Sequence, residues 1–443
     1  MANSEYEYVK REFEFDRRLP PSNWIVVRID GCHFHRFSKI HAFEKPNDKN
    51  ALRLMNTCAT AMLEKFPDIV FAYGVSDEYS FVFREETEFY HRRESKILSL
   101  CVSYFASVYV MEWKEIFPNK ELKEPPYFDA RAVCYPNLKT IRDYLAWKQV
   151  DCHINNQYNT CFWMLVEKGT SSKDKNELLA QQFQMNYDDE LAMFRKGSSV
   201  YREKAETVVK VVYVDIIGSE FWQNHQHILR EGKCRHELMK QFDINHMLPP
   251  CNWVVVRINA CQFNQFTTIH SFDKPNDAVA LSLMNESASL MMEQYPDIAF
   301  GYGFGSEYSF VFHEKTELYR RQESLILSSC SSYFTSLYMK KWKKFFPHKE
   351  LMPPPRFEAE ALCCQSLNSY VNTCHGDKRN VTLATYTTHA FGLKSGRSEK
   401  EAHETLKVHG SDNGVTKERW DVKVDHVDIG AGFWRKHPWI LGE

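Results

Sequence analysis

The chain carries one long stretch twice at a fixed spacing, and that repetition limits what it can fold into. Asn23-Trp24-Ile25-Val26-Val27-Arg28-Ile29-Asp30-Gly31-Cys32-His33-Phe34 returns as Asn252-Trp253-Val254-Val255-Val256-Arg257-Ile258-Asn259-Ala260-Cys261-Gln262-Phe263, with 8 of 12 positions identical and an offset of 259 − 30 = 229. The offset holds without a gap from Pro20/Pro249 to Phe128/Phe357. A period this long is a duplicated domain, because solenoid units run about 20–50 residues. The 443 residues divide naturally into 1–232 and 233–443, each near the usual domain size. The boundary region has no Pro/Gly-rich linker, so the two copies are expected to pack on one another.

The two copies differ in an informative way. Between 67–83 and 296–312, 12 of 17 positions are identical, yet Asp77 is replaced by Ser306. Asp30 is likewise replaced by Asn259. Apolar strand positions survive while acids do not, which separates residues kept for packing from residues kept for chemistry. The second copy is therefore expected to be degenerate and non-catalytic.

An apolar fraction of 43% with 14% aromatic residues fits packed globular cores. The 13 cysteines are scattered and show no C-x-x-C spacing, which excludes an obvious zinc site or disulfide framework. A reducing intracellular compartment, nucleus or cytoplasm, is expected. No signal peptide and no apolar run of about 18 residues is present, so no membrane association is expected. A net charge of −2 argues against broad, nonspecific nucleic-acid binding. Local basic clusters remain, among them Arg92-Arg93 with Lys96, Arg195-Lys196, and Lys340-Lys341 with Lys343-Lys344 around Trp342. The last is the best sequence candidate for an RNA backbone contact.

Within repeat one, the β-branched run Trp24 to Ile29 reads as a buried strand ending at Asp30-Gly31. Residues 47–65 read as a helix behind an Asn47-Asp48 cap. Residues 69–73 and 79–83 read as a hairpin with Asp77-Glu78 near its turn. Residues 92–116 form a long amphipathic helix, and 128–135 a fourth strand. The order β-α-β-β-α-β is that of a ferredoxin-like or palm-like layer. The expected class is α+β, with two tandem palm-like domains, each carrying helical additions. In that topology Asp30 and Asp77-Glu78 converge at one sheet edge.

Carboxylates meeting beside a glycine suit two Mg²⁺ ions, which take oxygen ligands and bridge substrate phosphates. Gly31 lets the backbone approach a triphosphate closely. Lys45-Pro46-Asn47-Asp48 recurs as Lys274-Pro275-Asn276-Asp277, which marks a helix start and leaves a phosphate contact open for Lys45. Gly301, Gly303 and Gly305 fall in a hairpin, so a dinucleotide-binding loop is excluded by context.

These residues, in this order, resemble the tRNA-histidine guanylyltransferase family, the reverse-direction (3′–5′) polymerases. The resemblance runs from Tyr6…Val9 through Arg28…Gly31, Phe34…Phe37, Lys45…Asp48 and Tyr73…Phe81, then Asp151…Asn156, Arg195…Gly197 and Asp215…Trp222. The duplicated form is similar to a tandem arrangement associated with plants. The resemblance implies addition of GMP to the 5′ end of tRNA-His, with ATP and GTP as substrates and an adenylylated 5′-phosphate as intermediate. It implies catalytic Asp30, Asp77 and Glu78, with two Mg²⁺ ions held by Asp30, Asp77 and the Gly31 carbonyl. It places nucleotide at Asp30, Gly31, Cys32, His33, Phe34, His35, Lys45, Asn47, Asp48, Ser76 and Asp77. Cys32 stands where animal relatives carry an arginine. Triphosphate or tRNA is placed at Arg92, Lys96, His153, Asn156, Arg195 and Lys196, and homo-oligomers are implied.

Two other readings compete: a non-catalytic tRNA-binding or regulatory protein descended from the enzyme, and a nucleotide cyclase. The intact acids favour catalysis over the first. The helical portion with His153 and Asn156 disfavours the second.

Overall fold

The computed structural model describes residues 17–167, 190–203, 208–230, 246–274, 277–364, 388–394 and 420–425. Two compact units emerge, one spanning Arg18–Ile244 and the other containing Asn245–Glu443. Tyr6…Val9 and the repeat-two segment 427–434 lie outside the described residues.

Repeat one runs β1 (Trp24–Gly31), α1 (Phe34–Ile40), α2 (Lys49–Lys65), β2 (Ile69–Val75), β3 (Glu78–Phe83), a 3₁₀ turn (Phe89–Arg92), α3 (Glu94–Ile116) and β4 (Phe128–Tyr135). It continues with α4 (Leu138–Glu167), α5 (Ala192–Arg195), β5 (Ser198–Arg202), β6 (Val209–Val212) and α6 (Ser219–Asn224). The strands form one six-stranded sheet in the order β4-β1-β3-β2-β5-β6, antiparallel throughout. Strands β5 and β6 were not expected from the sequence. Each has only 4–5 residues, too few for alternation to stand out from a polar loop.

Repeat two builds the same sheet from β7 (Trp253–Ala260), α7 (Phe263–Ile269), α8 (Ala278–Gln294), β8 (Ile298–Phe304), β9 (Glu307–Phe312), α9 (Glu323–Phe345) and β10 (Phe357–Cys364). Strands β11 (Thr388–Lys394) and β12 (Trp420–Asp425) complete it, in the order β10-β7-β9-β8-β11-β12. Although the sequence of this region is rewritten, its last two strands occupy the places of β5 and β6.

The sheet of repeat one is covered on both faces, which is why β1 reads as a continuous apolar run. Ile25, Val27 and Ile29 pack with Leu54 and Cys58 of α2 and with Leu98 and Phe105 of α3. Trp24 and Val26 face the other way, onto Ile141 and Leu145 of α4 and Phe221 and Trp222 of α6. Asp48 caps α2, its Oδ1 accepting from the Asn50 and Ala51 amides at 2.9 Å each. Such a cap contributes about 1 kcal/mol. Asp277 caps α8 in the same way.

Two basic features have partners within the fold. Arg92 is buried and donates to the carbonyls of Leu19, Asn23, Glu85 and Thr87. Arg321 repeats this with Leu248, Asn252, Glu314 and Thr316. A guanidinium committed to four carbonyls in both copies ties chain segments together and is not placed to grip triphosphate or tRNA. The lysine cluster of α9 also has partners: Trp342 is a core residue, Lys341 pairs with Glu286 at 2.7 Å, and Lys344 pairs with the same carboxylate. Lys343 Nζ donates to the Lys349 carbonyl at 3.2 Å. Lys343 and Lys344 remain exposed, so these pairs engage the cluster without closing its face to phosphate. Among the described residues, no helix is long and apolar enough to cross a membrane.

Candidate active site

Strand register brings the acids together. Asp30 stands opposite Glu78 on β3 and opposite Asp129 on β4. The hairpin tip closes over the end of β1, with the Gly31 amide donating to the Asp77 carbonyl at 3.2 Å. Repeat two keeps this bond, from Ala260 to Ser306 at 3.0 Å, so the backbone frame does not depend on the acids. A Cβ on Gly31 would collide with the Phe34 ring. The glycine thus accommodates Phe34, and repeat two accepts alanine at the equivalent position.

Arg28, Asp30, Glu78, Asp129 and Arg131 share the sheet face that α4 covers, with the three acids in one row across the strands and the two arginines in the next. Lys148 of α4 is buried there, 2.7 Å from a Glu78 carboxylate oxygen, while Arg28 lies 3.8 Å from the other. Cys32 is also directed at this face, its Sγ donating to Asp129 Oδ2 at 3.7 Å. Burial first, then the charge of Glu78, raises the Asp30 carboxyl above its ordinary range, against the pull of Arg28 and Lys148. Asp77 is pushed up to about 6 by burial and then by Asp30. Asp129 also reaches about 6, for the same two reasons in the same order.

A bound cation would favour the charged form of all three acids and offset their mutual repulsion. Among the described residues no group of three or more His, Cys, Asp or Glu side chains is placed to hold a metal ion. A site of one or two carboxylates completed by substrate phosphates is the usual Mg²⁺ arrangement. The donor set of Asp30, Asp77 and the Gly31 carbonyl is all oxygen and carries excess negative charge, and it fits Mg²⁺ on both counts.

On the other side of Asp77 opens a cavity of about 330 Å³. Phe34, His35, Lys45, Asn47, Asp48 and Ser76 line it with Asp77, as does Asn156 from α4. Asp48 is less available than expected, since its second oxygen accepts from the Glu44 amide at 2.9 Å. Lys45 Nζ donates to Ser38 Oγ at 3.2 Å. Asp30, Gly31, Cys32, His33, Glu78, Lys96, His153, Arg195 and Lys196 are not among the lining residues. His33 instead starts α1 in a left-handed conformation (φ 51°) with its ring 6.0 Å from Tyr127. Lys96 sits in the first turn of α3 and His153 is exposed on α4.

The floor of the cavity is fixed by Gly197, whose φ of +68° and close neighbours leave no room for a side chain: a Cβ would lie 2.5 Å from the Tyr73 hydroxyl. The Lys196 carbonyl accepts from that hydroxyl at 2.9 Å and from Gln149 Nε2 at 2.8 Å. The Arg195-Lys196-Gly197 segment therefore positions the cavity through its backbone. Sequence reading missed Asp129, Lys148, Asn155, Asn159, Met193 and Phe194. Asp129 left a trace in the alternation of Phe128, Asp129, Ala130 and Arg131 along β4, and Asn155 lies inside the Asp151…Asn156 segment.

In repeat two the corresponding positions form a closed polar contact. Ser306 Oγ donates to Asn259 Oδ1 at 3.0 Å. Asn259 Nδ2 reaches Glu358, the counterpart of Asp129, at 3.5 Å.

The profile of the tRNAHis guanylyltransferase family matches residues 6–136 and again 236–365, and that of the Thg1 C terminal domain matches 139–247. The tRNA(His) guanylyltransferase 1 of Arabidopsis thaliana is 44% identical over 452 residues, covering 92% of this chain and 78% of the relative. Guanylyltransferase 2 of the same plant is 42% identical over 537 residues, covering 100% and 99%. A crystal structure of tRNA(His) guanylyltransferase from Saccharomyces cerevisiae, 45% identical, covers 48% of this chain and 97% of its own with a TM-score of 0.41. The chain belongs to the tRNAHis guanylyltransferase family of nucleotidyltransferases, with the family's main segment present twice.

Proposed function

We propose that repeat one adds GMP to the 5′ end of tRNA-His, with repeat two non-catalytic. ATP would first adenylylate the 5′-phosphate, releasing pyrophosphate. The 3′-hydroxyl of GTP would then displace AMP, and pyrophosphate would leave the added nucleotide last.

Asp30, Asp77 and the Gly31 carbonyl would hold Mg²⁺, which neutralises phosphate charge and lowers the cost of developing an oxyanion. The residues of the chain do the rest. Phe34, His35 and Lys45 bound the space for a nucleotide, with Lys45 in reach of phosphate. Ser76 steadies Asp77, and its hydrogen bond opposes the rise in that carboxyl's pKa. Lys148 and Arg28 hold Glu78 in place. His153, Arg195 and Lys196 adjoin the cavity-lining Cys152, Phe194 and Gly197 in sequence and are proposed to meet triphosphate or tRNA, whereas Lys96 lies at the end of α3 remote from Tyr109 and its contact with Phe34.

One observation carries this reading. The half-buried pair Asp30 and Asp77, held above ordinary carboxyl pKa values, is kept in one copy and replaced in the other by a self-satisfied Asn259–Ser306 bond. The test incubates the full chain with Mg²⁺, ATP, labelled GTP and 5′-monophosphate tRNA-His, then maps the RNA 5′ end. Extension by one G is expected, and Asp77→Ala should abolish it. A chain that binds tRNA-His without extending it is the non-catalytic descendant, and activity retained in Asp77→Ala removes the metal assignment.

A further inference from the structure

The cavity contains a pair of side-chain amides whose hydrogen-bonding capacity is only half used. Asn156 Nδ2 donates to Asn47 Oδ1 at 2.8 Å. The other two polar atoms of the pair, Asn47 Nδ2 and Asn156 Oδ1, are buried and have no partner. Both residues line the cavity beside Asp77. Buried amide atoms are nearly always satisfied, so an orphaned donor and an orphaned acceptor on neighbouring side chains point to a missing complement. That complement must offer one acceptor and one donor next to each other.

We propose that the Asn47–Asn156 pair reads the Watson–Crick edge of a bound purine nucleotide, and that a coupled flip of the two amides lets one pocket take both ATP and GTP. This rests on the nucleotide pocket proposed above. Adenine presents its N6 amine as donor and N1 as acceptor. Guanine reverses that order, with O6 as acceptor and N1–H as donor. Flipping both amides keeps the bond between them, since one always donates to the other. The flip exchanges which residue offers the free donor and which the free acceptor. The terminal torsion of asparagine is broad and roughly two-fold, and the two orientations differ only in where nitrogen and oxygen sit. An edge reader of this kind has a known logic in enzymes that grip an extruded base. Repeat two keeps the first asparagine as Asn276 but has no recognisable counterpart of the segment carrying Asn156.

A carboxylate cannot flip donor for acceptor, and this gives a sharp test. In Asn156→Asp the new side chain can only accept, so it takes the Asn47 amine and leaves two acceptors facing the base. Two acceptors suit guanine, which offers N1–H and the N2 amine, and oppose adenine N1. Asn47→Asp leaves the same two acceptors by the converse route. Calorimetric titration of the full chain with GTP, ATP and ITP in Mg²⁺ buffer reads the outcome. In both variants affinity for ATP should fall about tenfold or more relative to GTP, because an unmatched polar edge is rejected strongly. ITP, which lacks the N2 amine, should weaken relative to GTP as well. Thermal melting checks that each variant folds, and agreement between two variants on different elements guards against a local packing defect. An unchanged ATP-to-GTP ratio in folded variants that still bind nucleotide would overturn the base-reading role alone. No measurable nucleotide binding by the unaltered chain would overturn the pocket reading, and this proposal with it.

Discussion

Lys148 Nζ closes on a Glu78 carboxylate oxygen at 2.7 Å, with only 8% of the lysine side chain exposed. A 30-residue helix that follows the last strand of the β-α-β-β-α-β unit thus fixes the charge balance beside Asp30. Removing Lys148 leaves the half-buried Glu78 with only Arg28, at 3.8 Å, to balance it, and breaking such a pair costs up to about 3 kcal/mol. Lys148→Met should lower unfolding stability by that order in urea titrations, and Lys148→Arg should recover most of it. Glu78→Gln added to Lys148→Met should restore stability, since no charge is then stranded. A loss below about 0.5 kcal/mol in Lys148→Met would show that solvent already screens Glu78.

Asp77 should destabilise the fold at neutral pH. Its carboxyl rises from 3.8 unfolded to about 6 folded, so the folded chain holds the proton more firmly. The resulting stabilisation is complete below about pH 4 and is lost as pH rises through about 6. Asp77→Asn should therefore raise stability near pH 7.5 by up to roughly 3 kcal/mol, measured without divalent cations, and change little below pH 4. An equal effect at both pH values would rule out ionisation as the cause.

Ser76 occupies the left-handed region at φ 53°, where repeat two carries Gly305 at φ 58°. A side chain there costs on the order of 1 kcal/mol. Ser76→Gly should leave stability level or raise it by about 0.5–1 kcal/mol, while removing the hydrogen bond that lowers the Asp77 pKa. The acid limb of GMP addition should then move to higher pH. A stability loss in differential scanning calorimetry would mean that the Ser76 hydroxyl outweighs the backbone strain.

The parts of this fold that announced themselves were those governed by local pattern. The run from Trp24 to Ile29, the strand Phe128–Tyr135 and the Asp48 cap lie where alternation, β-branching and capping rules put them. Convergence of Asp30 with Asp77 followed from strand order alone. Asp129 did not follow, because its place beside Asp30 depends on the β1–β4 register, which no local signal fixes. Lys148 depends on how α4 lies across the sheet. Arg92 misled for the opposite reason: two adjacent arginines look like a solvated patch until Leu19 and Asn23, far away in sequence, supply the carbonyls.

The bond between Ser306 and Asn259 has a historical consequence. Asn259→Asp alone would set a new carboxylate against Glu358, in a copy where Glu360 stands at the position of Arg131. One cation has become an anion on that face, so the reverted acid would enter a more hostile field than the one Asp30 occupies. Recovering the chemistry would require several reversals at once, each unfavourable until the others arrive. On the proposed reading of a non-catalytic second copy, its loss of acids works as a ratchet, and single substitutions do not lead back.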